Sequence, residues 1–255
     1  MIANYHTHTV RCTHAVGSEE EYVLAGIEAG LKILGFSDHA PYPFEGGCYS
    51  HIRMRPEELG AYTATVFALR EKYKDLVQIP VGVEIEYFPR FWEEQLSMLR
   101  DHGIEYLLLG QHWAEYREGG HYSGKVTDRE DLLAEYCRSA CEAMQTGVIT
   151  YIAHPDLFHY VGDEKVYERH MRKLCREAKG CDLPLEVNMV GMRNNRNYPN
   201  HRFWELAAEE GCRAILGNDA HDPRALLDTE TMAQARIWVE ALGMELLETV
   251  PLQRF

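Results

Sequence analysis

The first two histidines of the chain, His6 and His8, are spaced to bind one metal ion together. Residues 1–5 have the character of a strand, and alternate side chains of a strand share a face, so the two imidazoles point the same way about 7 Å apart. Neutral imidazole is the commonest protein ligand for a metal. The pair therefore predicts half of a metal site, and the alternative is a polar strand end that happens to carry histidines.

Further polar residues able to bind metal follow one predicted strand after another. They are Asp38, His39, Glu84, Glu86, His112, His154, Asp156, Asp219 and His221. Taken singly, a histidine after a strand is more often a hydrogen-bonded loop residue, and an aspartate is often a helix cap. Their recurrence at the ends of most predicted strands favours a single shared site.

Alternating strand and helix signals predict the scaffold that positions these residues. Strands are expected at 1–5, 31–37, 78–83, 105–109, 148–153, 183–187 and 213–216, with a further strand in the tail. Helices are expected between them, two of them starting with capping boxes, Ser18 with Glu21 and Thr127 with Glu130. Residues 188–200 are expected to form a loop rich in Arg and Asn. Repeated βαβ units without a Gly-rich dinucleotide turn predict an α/β fold, a closed parallel barrel, in a single domain spanning 1–255.

Composition and charge argue against several classes of protein. The chain has 255 residues and a net charge of -14, whereas binding nucleic acid by a general surface needs a basic footprint. A small anionic substrate remains compatible, because bound divalent cations reverse the local field. We find neither a signal-peptide pattern nor an apolar run long enough to span a membrane. The 7 scattered cysteines form no Cys-x-x-Cys motif and fit reduced thiols in the cytoplasm.

Taken together, the motifs resemble the polymerase and histidinol phosphatase (PHP) family. They are His6-Thr7-His8, His14, Ser37-Asp38-His39, Gly82-Val83-Glu84, Gly110-Gln111-His112, His154-Pro155-Asp156 and Asn218-Asp219-Ala220-His221. His39-Ala40-Pro41 and the loop that contains Arg193 resemble the histidinol-phosphatase branch. The resemblance implies a distorted (β/α)7 TIM-like barrel that holds two to three divalent metal ions, namely zinc, iron or manganese.

The resemblance also implies which side chains hold each ion. The first ion would be bound by His6, His8, Glu84 and Asp219. Glu84 would bridge to a second ion, bound by His112 and His154. The third ion would be bound by His14, His39 and His221. Two ions about 3.5–4 Å apart can activate a bridging water for in-line attack on a phosphate ester. The expected activity is therefore that of a phosphomonoesterase, with L-histidinol phosphate as the expected substrate.

Two further roles are expected at this site. Asp38 and His221 are candidates for protonating the leaving oxygen, and Asp38 is equally well suited to orienting a histidine ligand. Arg193 and Arg196 are the predicted phosphate-binding residues, because guanidinium matches phosphate bidentately and stays charged. Arg193 is preferred because it matches the family's position in Gly191-Met192-Arg193, whereas Arg196 could be a solvated loop charge.

Some features leave the substrate open. Where basic residues are common in this branch, the chain has Phe158, His159 and Tyr160 after His154-Pro155-Asp156-Leu157. The alternatives are the same fold acting on a sugar phosphate, a phosphotyrosine peptide or a nucleic-acid end, and a metal-binding module without turnover. A metal-dependent amidohydrolase also begins with His-x-His, but it usually needs a modified lysine or another bridge, and this chain offers Glu84. No nucleic-acid or membrane partner is expected, and the oligomeric state is left open.

Overall fold

The predicted alternation of strands and helices is confirmed in the computed structural model, which describes residues 1–43, 50–115 and 119–255. The strands are β1 (Ala3–Asn4), β2 (Ile33–Leu34), β3 (Gly82–Ile85), β4 (Tyr106–Leu109), β5 (Ile149–Ile152), β6 (Leu185–Asn188), β7 (Arg213–Gly217) and β8 (Glu245–Leu247). The α-helices are α1 (Glu19–Glu28), α2 (Leu59–Tyr73), α3 (Trp92–Asp101), α4 (Glu130–Gln145), α5 (Glu164–Gly180), α6 (Met189–Arg193), α7 (His201–Glu209) and α8 (Thr229–Ala241).

The strands are parallel and follow one another in sequence order around a barrel. β1 pairs with β2, and β3 to β8 form a continuous sheet. Isolated bridges such as Phe36 with Val81 connect the segment after β2 to the one before β3. The ring closes after β7, where the amide of His8 donates to the carbonyl of Ala220 at 2.9 Å and the amide of Ala220 donates to the carbonyl of His6 at 3.1 Å. The predicted TIM-like barrel is therefore confirmed, with β8 paired to the beginning of β7.

Side chains that point into the barrel fall into two layers of opposite character. The lower layer is apolar and contains Tyr5, Tyr106 and Tyr151, all buried in one cluster. The hydroxyl of Tyr106 donates to the carbonyl of Tyr5 at 2.7 Å and fixes this layer. Nearer the carboxyl ends of the strands, the buried layer carries Glu84 of β3, which pairs with Leu108 two residues beyond Tyr106, and Glu186 of β6. Chemistry is thus restricted to the carboxyl ends of the strands, as is general for this architecture.

Local structure differs from the sequence prediction in two places. The predicted capping box of Thr127 with Glu130 is wrong: α4 begins at Glu130, and the Thr127 hydroxyl accepts from the Arg129 amide at 3.2 Å. The reason is that the backbone of Thr127 pairs with Tyr160 instead of entering the helix. The predicted capping box at Ser18 is present.

The second difference concerns residues 188–200, which were expected to form a loop. The segment begins with α6 because the side chain of Asn188 accepts from the amides of Val190 and Gly191 and so caps a helix. Part of the Pro- and Gly-rich stretch at 41–55, including Cys48, lies outside the described residues. Within the described part of the chain, no helix is both long and apolar enough to cross a membrane.

Candidate metal centre and active site

The predicted ligands of the first two ions converge at the carboxyl ends of the strands, where they form what we call the inner group. Its residues are His6, His8, Glu84, His112, His154 and Asp219. Nε2 of His8 lies 3.0 Å from Oδ1 of Asp219, and Nε2 of His154 lies 2.8 Å from Oε1 of Glu84. Nε2 of His6 lies 3.1 Å from Nε2 of His8, and Nε2 of His112 lies 3.6 Å from Oε1 of Glu84. The structure therefore brings together side chains from five separate strand ends.

Glycines on neighbouring strands make room for the inward carboxylates. A Cβ atom at Gly110, directly after β4, would overlap the Glu84 carboxylate. A Cβ atom at Gly217, at the end of β7, would overlap the carboxylate of Glu186. Both glycines occupy inward positions, so any side chain there would displace a charged group that has no other place inside the barrel.

Electrostatics keep the two acids of the inner group ionised. Burial alone raises the pKa of Glu84, but His112, His39 and His6 outweigh it and hold that pKa well below its usual range. Burial also raises the pKa of Asp219, and His6 and His221 again bring it well below the usual range. Both carboxylates are thus negatively charged at neutral pH, deep inside the protein.

Two buried oxygens show that this donor set fits divalent cations. Neither Oε2 of Glu84 nor Oδ1 of Asp219 accepts a well-directed hydrogen bond from the described residues. A buried oxygen that is left without a hydrogen bond lowers the stability of the fold by on the order of 1–3 kcal/mol, and by more when it is charged. Ligand atoms of His6, His8 and Asp219 lie within 4.8 Å of one another, as do those of His6, Glu84 and His154. Imidazole nitrogens mixed with carboxylate oxygens are typical ligands of zinc and related ions.

The predicted third ligand set also comes together, at the mouth of the site, and we call it the rim group. Ligand atoms of His14, His39 and His221 lie within 4.8 Å of one another, and the Nε2 atoms of His14 and His221 are 3.0 Å apart. The other ring nitrogens of His14 and His221 face the carbonyls of Cys12 at 2.7 Å and Asp219 at 3.0 Å. His39 connects the groups, since its Nδ1 lies 3.0 Å from Oε2 of Glu84.

Behind the inner group lies a layer of acidic side chains, one of which sequence reasoning missed. Both carboxylate oxygens of Glu186 lie 3.0 Å from Nδ1 of His6. Glu86, a possible ligand by sequence, instead accepts from the amide of His112 at 2.9 Å and pairs with Arg53 at 2.5 Å. The available signal for Glu186 was a single acid in the otherwise apolar predicted strand at 183–187.

Two further acids predicted at strand ends take structural positions. Asp38 is fully buried, accepts hydrogen bonds from Thr9 and from the His39 amide, and lies 3.5 Å from Nδ1 of His8. These contacts favour its orienting role over direct proton transfer. Asp156 faces away from the site, accepting from the indole of Trp204 at 3.0 Å.

Comparison with known proteins agrees with this geometry. The model of the PHP domain matches residues 4–189 of the chain. The chain belongs to the PHP domain family. Among curated relatives, a probable histidinol-phosphatase of Deinococcus radiodurans is 29% identical over 242 residues, which cover 87% of each protein. A probable histidinol-phosphatase of Schizosaccharomyces pombe is 24% identical over 252 residues, covering 88% of this chain and 81% of the relative.

Solved structures share the fold of this chain over 90% or more of its length. A histidinol phosphate phosphatase of Lactococcus lactis, complexed with zinc, L-histidinol and phosphate, gives a TM-score of 0.74 at 18% identity, covering 97% of this chain and 96% of that one. A putative histidinol phosphatase of Listeria monocytogenes gives 0.70 at 20% identity, covering 90% and 99%.

A cavity of about 510 Å³ opens above the predicted metal ligands of the PHP domain. Besides rim and inner ligands, its wall contains Tyr122, Leu157, Asn194, Arg196 and Tyr198. The guanidinium of Arg196 donates to the hydroxyl of Tyr198 at 3.1 Å, which holds it at this wall. The cavity therefore combines metal ligands, a cation and aromatic rings.

The two predicted phosphate-binding arginines are placed differently. Arg196 lines the cavity, while Arg193 is not part of its wall as described. Arg193 instead donates to the carbonyl of Asn218 at 2.8 Å and lies 3.7 Å from a carboxylate oxygen of Asp228. Arg196 thus lies at the cavity wall and Arg193 against the backbone just before Asp219, and the binding of phosphate by either arginine stays a prediction.

Proposed function

We propose that this protein is a metal-dependent phosphomonoesterase that hydrolyses L-histidinol phosphate to L-histidinol and phosphate. The observation that carries the proposal is the pair of ionised carboxylates of Glu84 and Asp219, each with one buried oxygen that lies among histidine nitrogens without a well-directed hydrogen bond, beneath a cavity with Arg196 in its wall. Support for the substrate comes from the two probable histidinol-phosphatases and from the zinc, L-histidinol and phosphate bound by the Lactococcus lactis enzyme.

Two to three divalent ions, zinc, iron or manganese, would be held by the inner and rim groups. When bound, such ions lower the pKa of a water and neutralise charge on the phosphoryl oxygens. Glu84 reaches both halves of the inner group, since its Oε1 lies 2.8 Å from Nε2 of His154 and its Oε2 lies 3.5 Å from Nε2 of His6 and of His8, so it would contribute to both ion sites. We include these ions in the proposal because the histidine nitrogens and carboxylate oxygens of the two groups are suitable ligands for them.

The remaining roles fall to side chains at the cavity wall. Arg196 would bind the phosphate, since its guanidinium faces the cavity and stays charged at all relevant pH values. Of the two candidates for protonating the leaving oxygen, only His221 lines the cavity, with a partly exposed ring, and to act as the acid it would first have to take up a proton, because its pKa is lowered to about 3. Asp38, by contrast, would orient His8 and the His39 backbone. Tyr122 and Tyr198 offer aromatic surface to the leaving group.

The extent of the catalytic unit, its location and its partners are part of the same proposal. We expect the whole chain, residues 1–255, to act as one catalytic unit in the cytoplasm on a small phosphate ester. The net charge of -14 disfavours nucleic acid as a partner.

The experiment is a substrate panel with metal-depleted protein reloaded with zinc, manganese or ferrous iron. Phosphate release from L-histidinol phosphate should exceed that from sugar phosphates and a phosphotyrosine peptide by about 100-fold in kcat/KM, the selectivity that a few specific contacts supply. Single-stranded DNA should remain intact. Equal, slow release from every ester would refute the substrate, and full metal occupancy without any hydrolysis would indicate a non-catalytic metal-binding module.

A further inference from the structure

The sixth strand of the barrel stands apart from its neighbours. Among the described residues, each of β1–β5 and β7 is followed by, or contains, a predicted metal ligand, whereas β6 supplies none. Its inward positions are nevertheless polar and buried: Glu186 and Asn188 are 0% and 1% exposed. Burying an acid and an amide inside a barrel is costly unless both are fully paired. β6 therefore carries polar groups for a purpose other than direct ligation.

We propose that Glu186 is the positioning residue of the metal centre, fixing the ring of His6 for its ion. Both oxygens of Glu186 lie 3.0 Å from Nδ1 of His6, so this nitrogen donates and carries the proton. Once an ion has displaced the other ring proton, the lone pair is on Nε2, which lies 3.5 Å from carboxylate oxygens of both Glu84 and Asp219. A carboxylate behind a ligating histidine fixes its tautomer and makes it more basic.

Asn188 extends this support from the inner group to the cavity wall. Its Nδ2 donates to Asp219 at 3.0 Å and to Glu186 at 3.3 Å. Its Oδ1 accepts from the amides of Val190 at 3.0 Å and Gly191 at 3.3 Å, which starts α6. One amide thus holds a predicted ligand, the positioning acid and the helix that precedes Arg196.

The neighbouring strand is adapted to Glu186. Because a Cβ atom at Gly217 would overlap its carboxylate, β7 leaves the space that this acid fills. If Glu186 served only as a hydrogen-bond acceptor for the buried ring of His6, the oxygen of a neutral amide could replace it. A positioning role requires in addition that the metal affinity depend on the negative charge. The two possibilities can be separated by experiment.

The test compares Glu186→Leu, Glu186→Gln and the control Glu105→Gln, which alters a partly exposed acid beneath the barrel. Zinc affinity is measured by competition with a chromophoric chelator, and the His6 tautomer is followed by ¹⁵N NMR in metal-free and zinc-loaded protein. Glu186→Leu should weaken zinc binding by about 10–100-fold and remove the Nδ1–H signature. Glu186→Gln should keep that signature but bind zinc more weakly than the wild type, while Glu105→Gln should be unchanged.

Wild-type zinc affinity in both Glu186 variants would overturn the proposal. If Glu186→Leu fails to fold, the near-isosteric Glu186→Gln decides alone, because unchanged affinity there already contradicts a role for the charge. The inference rests on the proposed metal centre but not on the ester. Since zinc binding is measured without substrate, its failure is distinguishable from failure of the proposed hydrolysis.

Discussion

The inner and rim groups use the same side chains in opposite surroundings. His6 and His8 are completely buried and are backed by the carboxylates of Glu186 and Asp38. His14 and His221 lie at the cavity mouth and face backbone carbonyls, although Nδ1 of His221 also lies 3.3 Å from a carboxylate oxygen of Asp219. Because a carboxylate makes a histidine ligand more basic than a carbonyl does, we expect the inner group to hold the proposed ions more firmly. We expect the rim group to exchange its proposed ion more readily or to share it with substrate.

The largest expected effect comes from the residue that serves both halves of the inner group. Glu84→Gln removes a bridging charge close to His6, His39, His112 and His154. We expect loss of inner-group metal and a fall in kcat of about 10³-fold or more, as for other groups that stabilise transition-state charge directly. Elemental analysis and phosphate release measure the two effects. A variant that keeps both its metal content and its kcat would contradict the bridging role.

Gly110→Ala disturbs the same carboxylate without changing any ligand. The new methyl group would overlap Glu84, so we expect zinc affinity to fall by about 10–100-fold, as for other changes around metal ligands. Gly180→Ala is the matched control, because a Cβ atom there meets nothing. Chelator competition measures both variants. Equal affinities would show that the Glu84 carboxylate can move without cost.

His14→Asn tests the rim group by itself. His14 contacts His221 but none of the inner carboxylates, so we expect loss of one ion while the inner group keeps its metal. Activity should fall by about 10-fold, the lower end of the range for altered metal surroundings. When the release of metal ions into a chelator is followed over time, the wild type should show a fast phase. This phase should be missing from the variant. Loss of all metal would mean that the two groups are one cooperative site.

The smallest expected difference is in the pH dependence of metal binding. Burial lowers the pKa of His6, but Glu186, Asp219 and Glu84 raise it well above its usual value. Metal-free protein therefore holds a proton there at neutral pH, and an ion must displace it, so inner-group affinity rises with pH. Burial, with His8, lowers the pKa of His221 to about 3, so this ring is already neutral.

Calorimetry in buffers of different ionisation enthalpy measures the protons released. The inner group should release more protons than the rim group, in which His14 alone has a raised pKa. Equal release from both groups would remove the distinction between them. The same experiment on His14→Asn separates the two contributions, because only inner-group binding then remains.

Sequence patterns predicted the barrel and the convergence of the ligands, because strand periodicity and order place strand ends at one rim. They could not predict what lies behind the ligands. Glu186 lies between the apolar residues Leu185 and Val187, and the residue that it contacts, His6, is 180 positions away in the sequence. The relative positions of Arg193 and Arg196 were also beyond reach, because they depend on α6, a helix started by the side chain of Asn188.

Closure of the ring between the segments at His6–His8 and Ala220 has a consequence for biosynthesis. His14 and His221 are 207 residues apart, and Asp219 is equally remote from the first histidines. A nascent chain can complete neither group before Asp219 and His221 are made, since these two ligands follow all of the others in the sequence. Metal loading is therefore expected only after both residues have left the ribosome, when such long-range contacts can form. A chain truncated before residue 219 would lack a ligand of each group and the segment that closes the ring.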